Sequence, residues 1–180
     1  MKITTTPIEG ILIIEPQIFR DSRGYFYESY NEEKFHEAGI TAKFVQDNQS
    51  LSQKGATRGL HFQAPPFEQG KLVRVVQGAV MDVVVDIRKN SPTYGQSWCI
   101  ELSAENQRMF WIPPGFAHGF ETLMDQTLFL YKCTNVYNKG CEGGLLWNDP
   151  ALGIKWQSAE PIVSDKDQLL PLFKDFTSPF

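Results

Sequence analysis

Two valine-rich stretches separated by one glycine constrain this chain more than anything else in it. Lys71-Leu72-Val73-Arg74-Val75-Val76-Gln77 and Ala79-Val80-Met81-Asp82-Val83-Val84-Val85-Asp86-Ile87 flank Gly78. β-Branched residues at this density favour extended backbone over helix. With a side-chain period of two, Met81, Val83, Val85 and Ile87 share one face of a strand, while Asp82 and Asp86 share the other. The two stretches are expected to form an antiparallel pair about Gly78. Further strand signals follow at short spacing, at Gly10–Glu15, Trp98–Leu102, Arg108–Ile112, Gly119–Thr122 and Thr127–Thr134. In the last of these, Phe129, Tyr131 and Cys133 face together, opposite Leu128, Leu130 and Lys132. The pattern predicts an all-β sandwich or barrel with a few short helices. Asn31 is placed to cap a helix over Glu32–Glu37 that Gly39 stops, and Ser164 to cap another that Pro171 limits.

A chain of 180 residues, 42% hydrophobic and 21% charged, is expected to form one domain over residues 1–180 without staples. Thirteen phenylalanines fit a packed β core, a dimer interface or a stacking surface. A net charge of -4 supplies no basic face for nucleic acid. No apolar stretch is long enough to span a bilayer. Ile11–Ile14, between Glu9 and Glu15, is too short for a secretory segment. Cys99, Cys133 and Cys141 are odd in number and form no CxxC pair, which reads as reduced thiols in a cytoplasmic protein.

Against this acidic background, cations gather around one histidine. Arg58-Gly59-Leu60-His61-Phe62 is followed by Lys71 and Arg74. A base among cations suggests an anionic substrate. Strict alternation would send Arg58 and His61 to opposite faces, so either Gly59 forms a bulge or Arg58 lies in a loop. Lys71 and Arg74 are three apart, so at most one of them points beside His61. The turn Pro113-Pro114-Gly115 delivers His118 to the next strand. A metal site would draw on His61, His118 and Glu68, since His36 sits in a charged helical stretch. Gln63 stands where a second histidine would complete an HxH pair, which makes a metal the minority reading. Asp167 is either a helix-capping residue or a carboxylate that orients a histidine. Tyr131 is either a core residue or a proton donor. Arg20–Gly24 and Gln46-Asp47-Asn48 are polar clusters, either ordinary turns or parts of a site.

Taken together, Phe19-Arg20-Asp21-Ser22-Arg23-Gly24, Phe44-Val45-Gln46-Asp47-Asn48, Arg58-Gly59-Leu60-His61-Phe62-Gln63, Lys71-Leu72-Val73-Arg74, Asp82–Arg88, Trp111-Ile112-Pro113, Gly115–Phe120, Leu130-Tyr131-Lys132 and Trp147-Asn148-Asp149-Pro150 resemble the dTDP-4-dehydrorhamnose 3,5-epimerase family. The resemblance runs from Ile14 to Leu172 and implies a cupin fold, a jelly-roll β-barrel that forms a homodimer. It implies inversion of C3 and C5 of dTDP-4-dehydro-6-deoxy-D-glucose in dTDP-L-rhamnose biosynthesis, with no metal and no cofactor. By the same resemblance His61 is the base, Asp167 its dyad partner, Tyr131 the acid and Lys71 the group that stabilises the enolate. Gln46, Asp47, Asn48, Arg58, His118, Glu142 and Lys166 match substrate-contacting positions. Tyr137 matches an aromatic that stacks on thymine, although Val136 stands before it where an aromatic is frequent. Arg23 and Glu28 match positions supplied by the neighbouring subunit. The rivals are a single-centre epimerase of another dTDP-deoxysugar and a non-catalytic sugar-nucleotide-binding cupin.

Overall fold

The computed structural model describes Met1–Phe180. Fourteen strands account for the fold: β1 (Lys2–Thr5), β2 (Leu12–Glu15), β3 (Phe19–Asp21), β4 (Gly24–Phe26), β5 (Gln46–Ser52), β6 (Ala56–Gln63), β7 (Lys71–Gln77), β8 (Ala79–Asp86), β9 (Ser97–Ser103), β10 (Met109–Ile112), β11 (Phe116–Thr122), β12 (Thr127–Cys133), β13 (Glu142–Gly144) and β14 (Ile162–Val163). Two short helices, α1 (Glu32–Glu37) and α2 (Asp165–Gln168), complete it with three 3-10 turns. The Asn31 side chain accepts from the Lys34 N–H and the Ser164 side chain from the Asp167 N–H, so both expected caps form. No helix is long and apolar enough to cross a membrane.

The strands make two facing sheets. The first runs β1-β2-β10-β7-β12-β5, and the second β13-β6-β11-β8-β9 with β14 parallel to β6. The β3–β4 hairpin stands apart from both. Val73, Val75, Phe110 and Phe129 from the first sheet meet Val80, Val84, Phe116 and Phe120 from the second in the space between them. Full burial of each contributes about 1.5–3 kcal/mol. A second layer covers the back of the second sheet, where Leu60, Met81, Val83, Val85 and Ile87 pack under Trp156, Phe173, Phe176 and Phe180. β8 is therefore buried on both faces along its whole length. The face shared by Met81, Val83, Val85 and Ile87 is the one read from the alternation. This is the β-barrel of the cupin type.

The expected hairpin about Gly78 does not form. β7 pairs with β10 and β12, whereas β8 pairs with β9 and β11. One residue is too short for the two-residue loop of a tight hairpin, so Gly78 is a corner where the chain leaves one sheet for the other. Two polar segments are strands despite lacking an apolar alternation. β5 carries Gln46, Asn48, Ser50 and Ser52 on its less exposed side, and β3–β4 is exposed throughout. The strand expected from Gly119 starts at Phe116, and the one expected from Gly10 starts at Leu12.

Candidate active site

A bulge in β6 builds the site. His118 of β11 lies opposite His61, yet Phe120 lies opposite Arg58, so Gly59 and Leu60 together oppose the single Gly119. The extra residue returns Arg58 and His61 to the same face while Leu60 turns into the covered back layer. Only glycine fits there: φ is +120° at Gly59, and a Cβ would lie 2.6 Å from the Gly119 Cα and 2.8 Å from the His118 carbonyl oxygen. The tension between Arg58 and His61 is resolved by the bulge, not by a loop.

Arg58, His61 and His118 form one wall of a cavity of about 530 Å³; Tyr131 and Lys71, from the first sheet, line it too. A connected cavity of about 350 Å³ shares His61, Lys71 and Tyr131 and adds Gln46, Asn48, Tyr137 and Glu142. Period two on β7 divides its cations as expected. Lys71 faces the cavities, while Arg74 points to the outer side and donates to the Tyr27 hydroxyl at 3.2 Å.

The Asp167 carboxylate orients a histidine and does not cap the helix; only its N–H, which donates to Ser164 Oγ, belongs to the cap. Asp167 is the third residue after the Ser164 cap, and its carboxylate reaches the first wall. Its Oδ1 lies 2.6 Å from His61 Nε2, and its Oδ2 accepts from the Gly59 N–H at 3.2 Å. Burial alone would raise its carboxyl, but the bonds from His61 and Gly59 outweigh that and hold it below the ordinary range. An ionised carboxylate at Nε2 requires the proton there, which leaves Nδ1 as the basic nitrogen. Burial pushes the Tyr131 phenol up and the Lys71 ammonium down.

His118 has a carboxylate of its own. Asp82, with no exposed surface, places Oδ1 at 2.9 Å and Oδ2 at 3.0 Å from His118 Nε2. Burial pushes the Asp82 carboxyl up and the His118 imidazole down. Sequence reasoning placed Asp82 on the correct face but not in the site. The signal was a carboxylate interrupting an otherwise apolar strand.

The Arg58 guanidinium bonds to Ser52 Oγ at 3.3 and 3.2 Å. At the mouth, the Tyr137 hydroxyl donates to Glu142 Oε2 at 3.0 Å, and Lys166 Nζ lies 2.6 Å from Glu142 Oε1. Gln63 holds this mouth together: its amide donates to the Phe67 and Val136 carbonyls at 2.6 and 3.1 Å, and its Oε1 accepts from the Asn138 N–H at 2.7 Å. The residue standing where a metal-binding histidine would sit is thus a strut between two loops. His61 and His118 are cross-strand neighbours, but each directs Nε2 to a carboxylate, and Glu68 does not join them in a ligand cluster.

Three of the expected positions fall outside both cavities. Asp47 projects to the opposite face of β5 from Gln46 and Asn48 and pairs with Lys132 at 3.0 Å. Arg23 pairs with Asp21 at 2.6 Å on the exposed β3–β4 hairpin. Glu28 pairs with Lys34.

Residues 5–175 match the family model for dTDP-4-dehydrorhamnose 3,5-epimerase. The dTDP-4-dehydrorhamnose 3,5-epimerase of Shigella flexneri is 53% identical over 168 residues, covering 93% of each chain. The crystal structure of the enzyme of that name from Elizabethkingia anophelis is 51% identical and superposes with a TM-score of 0.93 over 97% of each chain. A Legionella pneumophila dTDP-6-deoxy-D-glucose-3,5-epimerase, solved in complex with dTDP-4-keto-L-rhamnose, is 48% identical with a TM-score of 0.93, covering 96% of this chain and 93% of its own. Identity at this level over almost the whole length shows that the chain belongs to the dTDP-4-dehydrorhamnose 3,5-epimerase family.

Proposed function

We propose that the protein inverts C3 and C5 of dTDP-4-dehydro-6-deoxy-D-glucose, giving dTDP-4-dehydro-L-rhamnose for dTDP-L-rhamnose biosynthesis in the cytoplasm. One observation carries the reading: the carboxylate-backed His61 and the half-buried Tyr131 come from facing sheets and line one cavity with Lys71. C3 and C5 both flank the C4 ketone, so their protons are acidified. His61 Nδ1 takes a proton from one face, and the electron pair of the C–H bond moves to the C4 oxygen. The Lys71 ammonium stabilises that enolate electrostatically, a role that needs no metal. Tyr131, kept protonated by burial, returns a proton to the opposite face and the centre is inverted. Asp167 fixes the tautomer of His61 and stabilises the imidazolium that forms.

Arg58, His118 and Lys166 hold the sugar and diphosphate, with Gln46 and Asn48 beside them. Arginine is suited to bidentate contact with phosphate. Tyr137 and Glu142 bind the nucleoside end. Residues 1–180 act as one domain, and a homodimer brings Arg23 and Glu28 on the exposed β3–β4 arm and its flank to the neighbouring site.

The test is incubation with the 4-keto sugar nucleotide in deuterated water, with C3 and C5 followed by NMR. Deuterium at both centres is expected. Deuterium at one centre would identify a single-centre epimerase, and binding without exchange a non-catalytic module. His61→Ala is expected to abolish exchange at both centres and leave nucleotide binding intact; full exchange in that variant would reassign the base.

A further inference from the structure

The pairing of Asp82 with His118 is unused by the steps above, yet no carboxylate in the molecule is more completely enclosed. Asp82 has no exposed surface, sits on β8, which is buried on both faces, and is flanked there by Met81 and Val83. Isolated charge in such a place is costly unless it is paired. Both of its oxygens lie within 3.0 Å of His118 Nε2. The other charged groups around this cluster are Lys71 of β7, His61 of β6 and Glu142 of β13, with the thiol of Cys133 on β12. Cys99 on β9 also feels the Asp82 charge.

We propose that Asp82 is a positioning residue that acts through His118: it fixes the imidazole as the Nε2–H tautomer, leaving Nδ1 to accept from a sugar hydroxyl. The sugar-hydroxyl part rests on the epimerase reading. A carboxylate at Nε2 selects the tautomer because it only accepts. The site thus contains two imidazole–carboxylate pairs on adjacent strands with different duties. His61 moves a proton; His118 keeps its own.

The tautomer is read without substrate, from long-range ¹H–¹⁵N correlation of the ¹⁵N-labelled protein, whose three histidines are few enough to assign. A protonated Nε2 and bare Nδ1 at His118 are expected near neutral pH; the opposite tautomer, or an imidazolium, overturns the proposal. Asp82→Asn keeps the shape but can donate as well as accept, so it no longer selects the tautomer. In that variant His118 is expected to lose its Nε2–H preference, and KM for the sugar nucleotide to rise severalfold with kcat little changed. An unchanged tautomer and KM in a folded variant overturn the proposal, since a carboxylate with a purely structural role would lower stability and leave both in place. Because the tautomer measurement uses the wild-type protein, it decides even if Asp82→Asn does not fold. It also separates failure of this inference from failure of the epimerase reading, which shows as absent deuterium exchange in the wild type.

Discussion

Gly59→Ala tests whether the bulge in β6 is what assembles the site. An alanine at φ +120° costs about 1–3 kcal/mol in backbone strain. Its Cβ would also meet the Gly119 Cα at 2.6 Å and the His118 carbonyl oxygen at 2.8 Å. Both are backbone atoms of a paired strand and cannot swing away, which adds about 1–3 kcal/mol. The sum, about 2–6 kcal/mol, is a large part of the 5–15 kcal/mol that typically holds a domain together. Melting should fall by on the order of 10 °C in a chain of this size. The two strands would part, separating Arg58 and His61 from His118. A shift of about 1 Å at a reacting centre costs roughly 10²-fold in rate. Gly24→Ala is the control, because φ there is +134° and nothing lies within 4 Å of an added Cβ; it suffers the backbone strain alone. Thermal melts and the deuterium-exchange assay on both variants decide the matter. If Gly59→Ala melts with Gly24→Ala and exchanges at the wild-type rate, the bulge does not organise the site.

Three further outcomes are expected. Asp167→Asn should lower kcat by about 10²–10⁴-fold through loss of the tautomer that makes His61 Nδ1 basic; a change in KM alone would count against the dyad. The same variant tests acid stability. Asp167 is held below its ordinary value in the folded protein, so its stabilisation is complete above about pH 4 and is lost as pH falls through the folded value. Melting of the variant should therefore depend less on pH on the acid side than that of the wild type, and equal slopes would contradict the linkage. Tyr131→Phe should leave deuterium entry through His61 but suppress inversion, as read from the stereochemistry of the labelled carbons; undiminished inversion would assign the acid elsewhere. Glu142→Gln breaks the half-exposed bridge to Lys166, worth about 0–1 kcal/mol, so melting should shift by no more than about 4 °C.

What could be read ahead of the structure follows the places where one physical demand acts alone. β8 is buried on both faces, and its parity was legible because Met81, Val83, Val85 and Ile87 answer only to packing. The bulge was legible as a conflict between Arg58 and His61 that one glycine could resolve. β5 was not, since its inward residues Gln46, Asn48 and Ser52 answer to a polar cavity and its outward ones to water, which erases the apolar alternation. The turn at Gly78 misled because adjacency in sequence suggests pairing, whereas a barrel corner uses the same residue type for a different purpose. Asp167 was ambiguous for a sound reason: the N–H that Ser164 caps and the carboxylate that holds His61 belong to one residue. Asp47 shows the limit of motif reading, because neighbours within a motif alternate between faces.

The separation in sequence of the paired groups has a kinetic consequence. His61 and Asp167 lie 106 residues apart, and His118 and Asp82 are 36 apart. β6 itself finds its partners in β11, β13 and β14, all later in the chain. Closing such long loops costs entropy before any contact rewards it, and topologies dominated by distant pairings fold slowly. No fragment of the chain shorter than 106 residues can hold both His61 and Asp167. During synthesis the base emerges long before the carboxylate that tunes it, which arrives with α2 106 residues later. Turnover is therefore a report on completion. A refolding chain regains it only when α2 has docked against β6, and until then it has a barrel wall but no poised imidazole.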